Sequence, residues 1–363
     1  MIEHLTLKKV RIYDALDLEP HPTLNILVGD NAQGKTTVLE AIHMLALAKS
    51  HKPAKDTDIM QTGADFAHIE ARCAFDGRPL TLSLTLTKNG KKAKYNKIEM
   101  ERLSDYVGNL NVVMFAPEDL DLIKGSPRER RRFLDVEIGQ LSKAYLMNLG
   151  HYRRLLRERN EVLKGLAKNT KFDHRVLDVI TEQLAHYGEK IVAARESYLK
   201  ILNERVQETL AILAPEDPLV TLTYAPSTSG DLITGYRKKT QFDLITQSTQ
   251  LGPHRDDIRI DIDETPFKQH ASQGQIRTLA LALKLAVATH IEATKKRPPI
   301  VLLDDVLSEL DKTRQTTLLN SLPDKTQLFI TTTHIDHIST KENLAARVFT
   351  IHGGAIEGVT THG

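Results

Sequence analysis

The densest chemistry in this chain lies in Gly29-Asp30-Asn31-Ala32-Gln33-Gly34-Lys35-Thr36, followed by Thr37, which fits G-x-x-x-x-G-K-[ST]. Gly29 and Gly34 let the backbone curl until successive N–H groups face inward, making a cradle for phosphate oxygens. Lys35 adds a mobile point charge for β- and γ-phosphates, and the Thr36 hydroxyl suits Mg²⁺. The context agrees. Leu24, Ile26, Leu27 and Val28 form an apolar strand before the loop, and Val38, Leu39, Ile42, Leu45 and Ala46 mark one side of a helix after it. The positive end of that helix dipole points at the same phosphates. A nucleoside triphosphate with Mg²⁺ is the ligand this stretch implies.

A second cluster follows in Pro299-Ile300-Val301-Leu302-Leu303-Asp304-Asp305, an apolar strand ending in paired carboxylates. Two acids there are costly unless a cation or its waters sit beside them. Asp304 reads as the Mg²⁺ carboxylate, and Asp305 as the group that orients or deprotonates an attacking water, so Asp305 and Lys35 are the candidate catalytic pair. Ser308-Glu309-Leu310-Asp311 comes next, then a strand from Gln327 to Thr333 that ends at His334. Ala271-Ser272-Gln273-Gly274-Gln275 precedes a helix with Ile276, Leu279, Ala280, Leu283, Leu285 and Ala286 as its buried side. Taken alone, Ser272 is an ordinary N-cap.

Composition bounds the rest. The 363 residues are 40% hydrophobic and 26% charged, enough for a large core, with a net charge of +2 that requires any nucleic-acid surface to be local. No apolar run approaches a membrane span, Met1 to Val10 lacks a signal-peptide core, and the lone Cys73 excludes an internal disulfide and fits a reducing cytoplasm. Two basic groups are candidate phosphate contacts for a nucleic acid: Lys91, Lys92 and Lys94 after the Asn89-Gly90 hairpin signal, and Arg130, Arg131 and Arg132 in a helix start. The lysines equally suit a solvated sheet edge, and the arginines could instead pair with Glu129 and Asp135.

These groups need elements to hold them. Ile2 to Val10 reads as an edge strand paired with Ala15 to Leu18, and 67–98 as an antiparallel meander with a turn at Asp76-Gly77. Val112 to Phe115 is a buried strand. Ser126-Pro127, with Glu129 in the capping-box place, starts the first of two long helices, 126–168 and 174–213, joined by a polar link from Ala167 to Lys171. Strands return at Val220 to Tyr224 and Ile258 to Ile262, with a polar loop at Ser227 to Gly235 and a charged turn at Leu251 to Asp257.

Together, the P-loop, the Ala271 to Gln275 stretch, Ile300 to Asp305 and Ser308 to Asp311 resemble the ATP-binding-cassette head of the SMC-like class. The signature L-S-G-G-Q is matched at Ser272, Gly274 and Gln275. LVGDNAQGKTTVLEAI, KSHK, FAPEDL, GSPRERRRFLD, LGPHRDD, ASQGQIRTLALALKLA and LLDDVLSELD, in that order, are similar to the RecF family of bacterial recombination mediators over nearly the whole chain. The fold implied is α/β: an ABC-type P-loop ATPase head with an antiparallel β subdomain and an inserted helical arm. Its expected parts are 1–125, 126–215 and 216–363.

The resemblance also implies a cytoplasmic, ATP-dependent DNA-binding protein of replication, recombinational repair and SOS induction. It would bind single-stranded and linear or gapped double-stranded DNA and hydrolyse ATP slowly in a DNA-dependent way. It would dimerise on ATP, with Ser272, Gly274 and Gln275 of one copy completing the site of another. With RecO- and RecR-like partners it would help to load the recombinase at gaps. There are departures from the pattern. Asp305 stands where most cassettes carry Glu, Gln273 replaces the first signature glycine, and Glu118 stands in the Q-loop place. The switch position falls on His334, Thr332 or Thr333. The alternatives are an ABC transporter subunit, which the helical arm and the long gap before the signature oppose, and a non-hydrolysing ATP-dependent DNA clamp.

Overall fold

The structure, a computed structural model, describes residues 1–51, 56–75, 77–168, 173–263, 265–335 and 345–362. The chain divides into two compact units, one of residues 1–119, 209–215 and 278–363, the other of 120–208 and 216–277. Lys52, Asp76 and residues 169–171, which entered the expectations above, lie outside the described residues.

The first unit is built on a six-stranded sheet in the order Ala355–His362, Ala346–His352, Leu24–Val28, Leu328–Thr332, Ile300–Asp304, Val112–Phe115. Its strands run parallel except at the Ala355–His362 edge. The sequence favours this placement, because Val112–Phe115, Ile300–Asp304 and Leu328–Thr332 are mostly apolar and buried at every residue. Register then sets the site. Asp304 pairs with Thr331, and Thr332 pairs with Val28, the last residue before the P-loop. The carboxyl ends of these strands, where open α/β sheets bind ligands, therefore gather the loop and the acids.

A second six-stranded sheet in this unit is antiparallel, in the order Tyr13–Leu18, Ile2–Val10, Phe66–Phe75, Arg78–Thr87, Gly90–Tyr95, Ile98–Glu99. Ile2–Val10, expected at an edge, is interior, since it pairs with both Tyr13–Leu18 and Phe66–Phe75. Local alternation is the same for edge and interior strands, and the second neighbour is remote in sequence. Register also aligns polar rows across this sheet, Lys8 with His68, Thr85 and Lys92, and Thr6 with Glu70, Ser83 and Lys94.

In the second unit the helix expected over 126–168 is two helices, Pro127–Leu141 and Lys143–Ala167. Ser142 between them is extended (φ −134°, ψ 105°), and its hydroxyl accepts from the Tyr145 amide at 3.1 Å, capping a new helix where the apolar period alone predicted continuation. Ser126 does sit at the N-cap before Pro127, but its side chain makes no capping bond. His174–Leu213 is a single 40-residue helix, as expected. Leu232–Thr246, in part expected to be loop, is a helix capped by Asp231, which accepts from Thr234 N at 3.0 Å. Its scattered buried positions, Leu232, Gly235, Tyr236 and Asp243, leave no apolar stripe to betray it.

The strands Val220–Ala225 and Asp257–Ile262 cluster with the helices rather than with 278–363, so the expected boundary at 215/216 does not coincide with the observed division. Buried polar bonds account for this. Arg159, 0% exposed, donates to Asp243 and Thr249 at 2.7 Å each. Arg195 donates to Asp135 at 2.8 Å and to the Pro253 carbonyl at 2.7 Å. The Leu251 to Asp257 turn is thus the meeting point of several helices. Gly252 is obligatory in it: its φ is +113°, and a Cβ would strike the Tyr152 and Tyr236 hydroxyls.

Candidate nucleotide-binding site

Between Leu24–Val28 and the helix Lys35–Leu47 the P-loop opens onto a cleft of about 310 Å³. Asn31, Ala32, Gln33, Gly34, Lys35, Thr36 and Thr37 form one wall, and Ile12, Pro117, Asp304, Asp305 and Thr331 the rest. Gly34 takes the N-cap of the helix at φ 110°, and a Cβ on Gly29 would collide with the Ile351 carbonyl, so both motif glycines are sterically required. Gly29 and Asp30 contribute differently from the wall residues: their carbonyls accept from the Lys35 ammonium, Asp30 at 2.7 Å. Lys35 is 8% exposed, and burial lowers its pKa from the ordinary lysine value, opposed by the charges of Asp305, Asp30 and Asp304. An ammonium held on carbonyl oxygens among carboxylates can exchange those partners for phosphate oxygens.

Across the cleft, Thr36 Oγ1 donates to Asp304 Oδ1 at 2.7 Å, and Thr331 Oγ1 donates to the same oxygen at 2.8 Å. Asp305 adopts a left-handed conformation (φ 54°), held by its amide donating to Thr331 Oγ1 at 2.9 Å and its carbonyl accepting from Ser308 Oγ at 2.7 Å. A non-glycine residue in that region costs about 1 kcal/mol or more, and here the cost places a carboxylate-bearing residue on the cleft wall. The residues present fit Mg²⁺: Thr36 and Asp304 offer hard oxygens close enough to share one cation. Among the described residues no cluster of three or more His, Cys, Asp or Glu forms a metal cage, and a cation that keeps waters and phosphate ligands does not need one.

Several residues of the site were not foreseen. Thr331, one residue before the switch candidates Thr332, Thr333 and His334, lines the cleft. Thr332 is buried with its hydroxyl donating to the His334 carbonyl at 3.0 Å, and His334 is exposed. The run of threonines was visible, but which one meets Asp304 depends on strand register. Pro117, not Glu118, lines the cleft, while Asp119 pairs with Lys284 at 3.0 Å and accepts from Ala116 N at 2.8 Å. Ile12 had no sequence signal beyond its place in a turn.

The signature residues lie in the other unit. Ser272 Oγ accepts from Gln275 N at 3.2 Å while the Gln275 side-chain carbonyl accepts from Ser272 N at 2.9 Å, a reciprocal capping box at the start of Gln273–Lys295. Gln275 also donates to Asp217 at 3.2 Å. Ser272 is exposed, and only its own hydroxyl, 3.8 Å away, approaches the space above Gly274.

The two basic groups separate. Arg130, 12% exposed, makes a bidentate pair with Asp257 at 2.7 and 2.9 Å and donates to the Gly125 carbonyl at 3.1 Å. Arg131 donates to the Asp256 carbonyl at 2.7 Å, and Arg132 is half-buried. Asp135, considered as their partner, instead binds Arg153 and Arg195. Arg130 and Arg131 thereby anchor their helix. Lys91 donates to the Ala48 carbonyl at 2.7 Å, whereas Lys92 and Lys94 are exposed on the polar face of the antiparallel sheet, Lys92 at 3.3 Å from Glu99.

Comparison with known proteins places this architecture. Residues 1–357 match the model of the RecF/RecN/SMC N terminal domain family. The DNA replication and repair protein RecF of Halalkalibacterium halodurans is 41% identical, with 98% of this chain and 99% of that protein covered. The protein of the same name from Staphylococcus aureus is 40% identical over 97% of this chain and 98% of its own. A solved structure of the recombination mediator protein RecF with ATP, of the RecFOR pathway, superposes with a TM-score of 0.88 at 28% identity, covering 100% of this chain and 97% of that one. An Smc head bound to the C-terminal winged-helix domain of ScpA shares the fold, with a TM-score of 0.56 at 15% identity over 99% and 97% of the two chains.

Proposed function

The chain belongs to the RecF/RecN/SMC N-terminal domain family, within which it groups with the RecF proteins, and from that premise we propose that it is an ATP-dependent DNA-binding protein of replication and recombinational repair. The observation that carries this reading is the convergence of Lys35, Thr36, Asp304 and Asp305 on one cleft. Lys35 and the P-loop amides bind the β- and γ-phosphates. Thr36 and Asp304 would hold Mg²⁺, which would supply charge neutralisation at those phosphates. Asp305 orients the attacking water. Its carboxylate is one methylene shorter than the usual glutamate, which favours slow hydrolysis.

Every residue lining the cleft belongs to the first unit, and the signature residues, exposed Ser272 with half-buried Gly274 and Gln275, belong to the second. A second copy supplying them would complete the site, so that ATP joins two molecules around DNA. The DNA contacts are lysines such as Lys92 and Lys94, which read backbone charge and not sequence. The RecFOR pathway of the solved RecF structure supports RecO- and RecR-like partners; recombinase loading at gaps and a part in SOS induction belong to the same proposal and rest on the family resemblance alone. Among the described residues no helix is long and apolar enough to cross a membrane.

Size-exclusion chromatography with DNA and ATP, beside phosphate release with and without DNA, tests this reading. The wild-type protein should dimerise on ATP and release phosphate slowly, and Lys35→Met should neither bind a fluorescent ATP analogue nor dimerise. Dimerisation without phosphate release would leave a clamp that does not hydrolyse; ATP binding by Lys35→Met equal to wild type would overturn the site.

A further inference from the structure

The P-loop is gripped from outside by a feature that its motif does not mention. The strands Ala346–His352 and Ala355–His362 are joined by Gly353 and Gly354 alone, both with positive φ (56° and 76°), as a tight hairpin turn of this hand requires. Both turn amides donate to Gln33: Gly353 N to the side-chain Oε1 at 2.6 Å, and Gly354 N to the main-chain carbonyl at 3.2 Å. On the next peptide, the hydroxyl of fully buried Tyr13 donates to the Gly34 carbonyl at 3.1 Å. The hairpin tip is itself fixed. The Ile12 carbonyl lies 2.9 Å from where a Cβ on Gly354 would be, and Ala346–His352 pairs in parallel with the strand that enters the P-loop.

Planarity of the peptide bond turns these grips into aim. In a trans peptide the C=O and the following N–H point in opposite directions. Holding the Gln33 carbonyl against Gly354 turns the Gly34 N–H away from the hairpin, and the Gly34 carbonyl, held by Tyr13 together with the helix amides of Thr37 at 3.0 Å and Val38 at 3.3 Å, turns the Lys35 N–H away from Tyr13. Gly34 and Lys35 both line the cleft. We propose that Gln33 and Tyr13 are positioning residues for phosphate binding, Gln33 acting with the C-terminal hairpin tip, and that together they aim these two P-loop amides at the polyphosphate. The proposal rests on the reading of the cleft as a nucleotide site.

Gln33→Met keeps the side-chain length without the acceptor, and Tyr13→Phe removes only the hydroxyl. Affinity for ATP, ADP and inorganic tripolyphosphate should fall about three- to tenfold in each, the loss of one hydrogen bond. The loss should be larger in the double variant. In steady-state hydrolysis the loss should fall on KM and not on kcat, with melting temperatures at the wild-type value. A purely structural role would lower the melting temperature and the active fraction while leaving KM unmoved. If the wild type binds nucleotide and both single variants bind all three ligands equally well, the positioning role is overturned while the nucleotide site stands. Absence of nucleotide binding in the wild type itself would overturn the functional reading first.

Discussion

Thr36 Oγ1 donates to Asp304 Oδ1 across 2.7 Å, although the two residues lie 268 positions apart in the chain. Neither side chain chooses the other. Three adjacent parallel strands, Leu24–Val28, Leu328–Thr332 and Ile300–Asp304, end at one level, and this register delivers the hydroxyl, Thr331 and the carboxylate to one place. The hydrogen bond marks where a divalent cation bound to ATP would lie.

Asp304→Asn and Asp305→Asn should therefore behave differently. Asp304→Asn should lose the Mg²⁺-dependent part of ATP affinity, so that EDTA no longer weakens binding. Asp305→Asn should bind ATP and Mg²⁺ while turnover falls by about tenfold or more, prolonging the ATP-bound dimer. Turnover at the wild-type rate in Asp305→Asn would remove Asp305 from the water-orienting role.

Ser272 caps the helix Gln273–Lys295 and has a proposed role across the dimer. Asn caps a helix as well as Ser, so Ser272→Asn should leave the melting temperature unchanged. Ser272→Arg should still bind ATP as a monomer but lose both ATP-induced dimerisation and hydrolysis. Mixing Ser272→Arg with Lys35→Met creates a heterodimer with one intact site, and partial recovery of dimerisation is expected. Normal dimerisation by Ser272→Arg alone would leave the composite site without support.

Charge reversal should sort the basic groups. Lys92→Glu with Lys94→Glu should weaken DNA binding and flatten the slope of log affinity against log salt. Arg130→Glu should act through folding, because it leaves Asp257 without its bidentate partner and sets two carboxylates together; a loss of about 3 kcal/mol in denaturant unfolding is expected. An unchanged salt slope in the lysine double variant would exclude those lysines as phosphate contacts.

His254 predicts an acid-sensitive unit. Its Nε2 faces the Thr249 carbonyl at 3.0 Å and must donate, so Nδ1 accepts from the Tyr152 hydroxyl at 2.7 Å, which requires the neutral ring. Burial pushes its pKa from 6.5 down to about 4, with the nearby Arg255 and Arg131 charges in the same direction and Asp256 and the Thr249 bond against it. Between those pH values the unfolded chain holds more protons on this group than the native one. Its contribution is complete above pH 6.5 and is lost as pH falls towards about 4, on the order of 3 kcal/mol in all. Thermal melting across that range should show a shallower pH dependence in His254→Asn than in wild type; parallel curves would contradict this assignment.

Sequence by itself determined the parts of the site that contiguous residues build. A phosphate cradle is made by successive peptide groups, so Gly29 to Thr36 declares it, and an apolar run ending in Asp304 and Asp305 declares a strand with an expensive terminus. The tertiary structure decided everything that depends on which remote strand or turn arrives beside those residues. Register set Thr331 against Asp304, and sheet order brought Gly353 and Gly354 onto Gln33. Asp257 pairs with Arg130 from 127 positions away, giving a helix anchor that no local pattern announces. Local pattern records what a residue type can do, whereas its partner is set by the burial of the whole chain, which no short stretch contains.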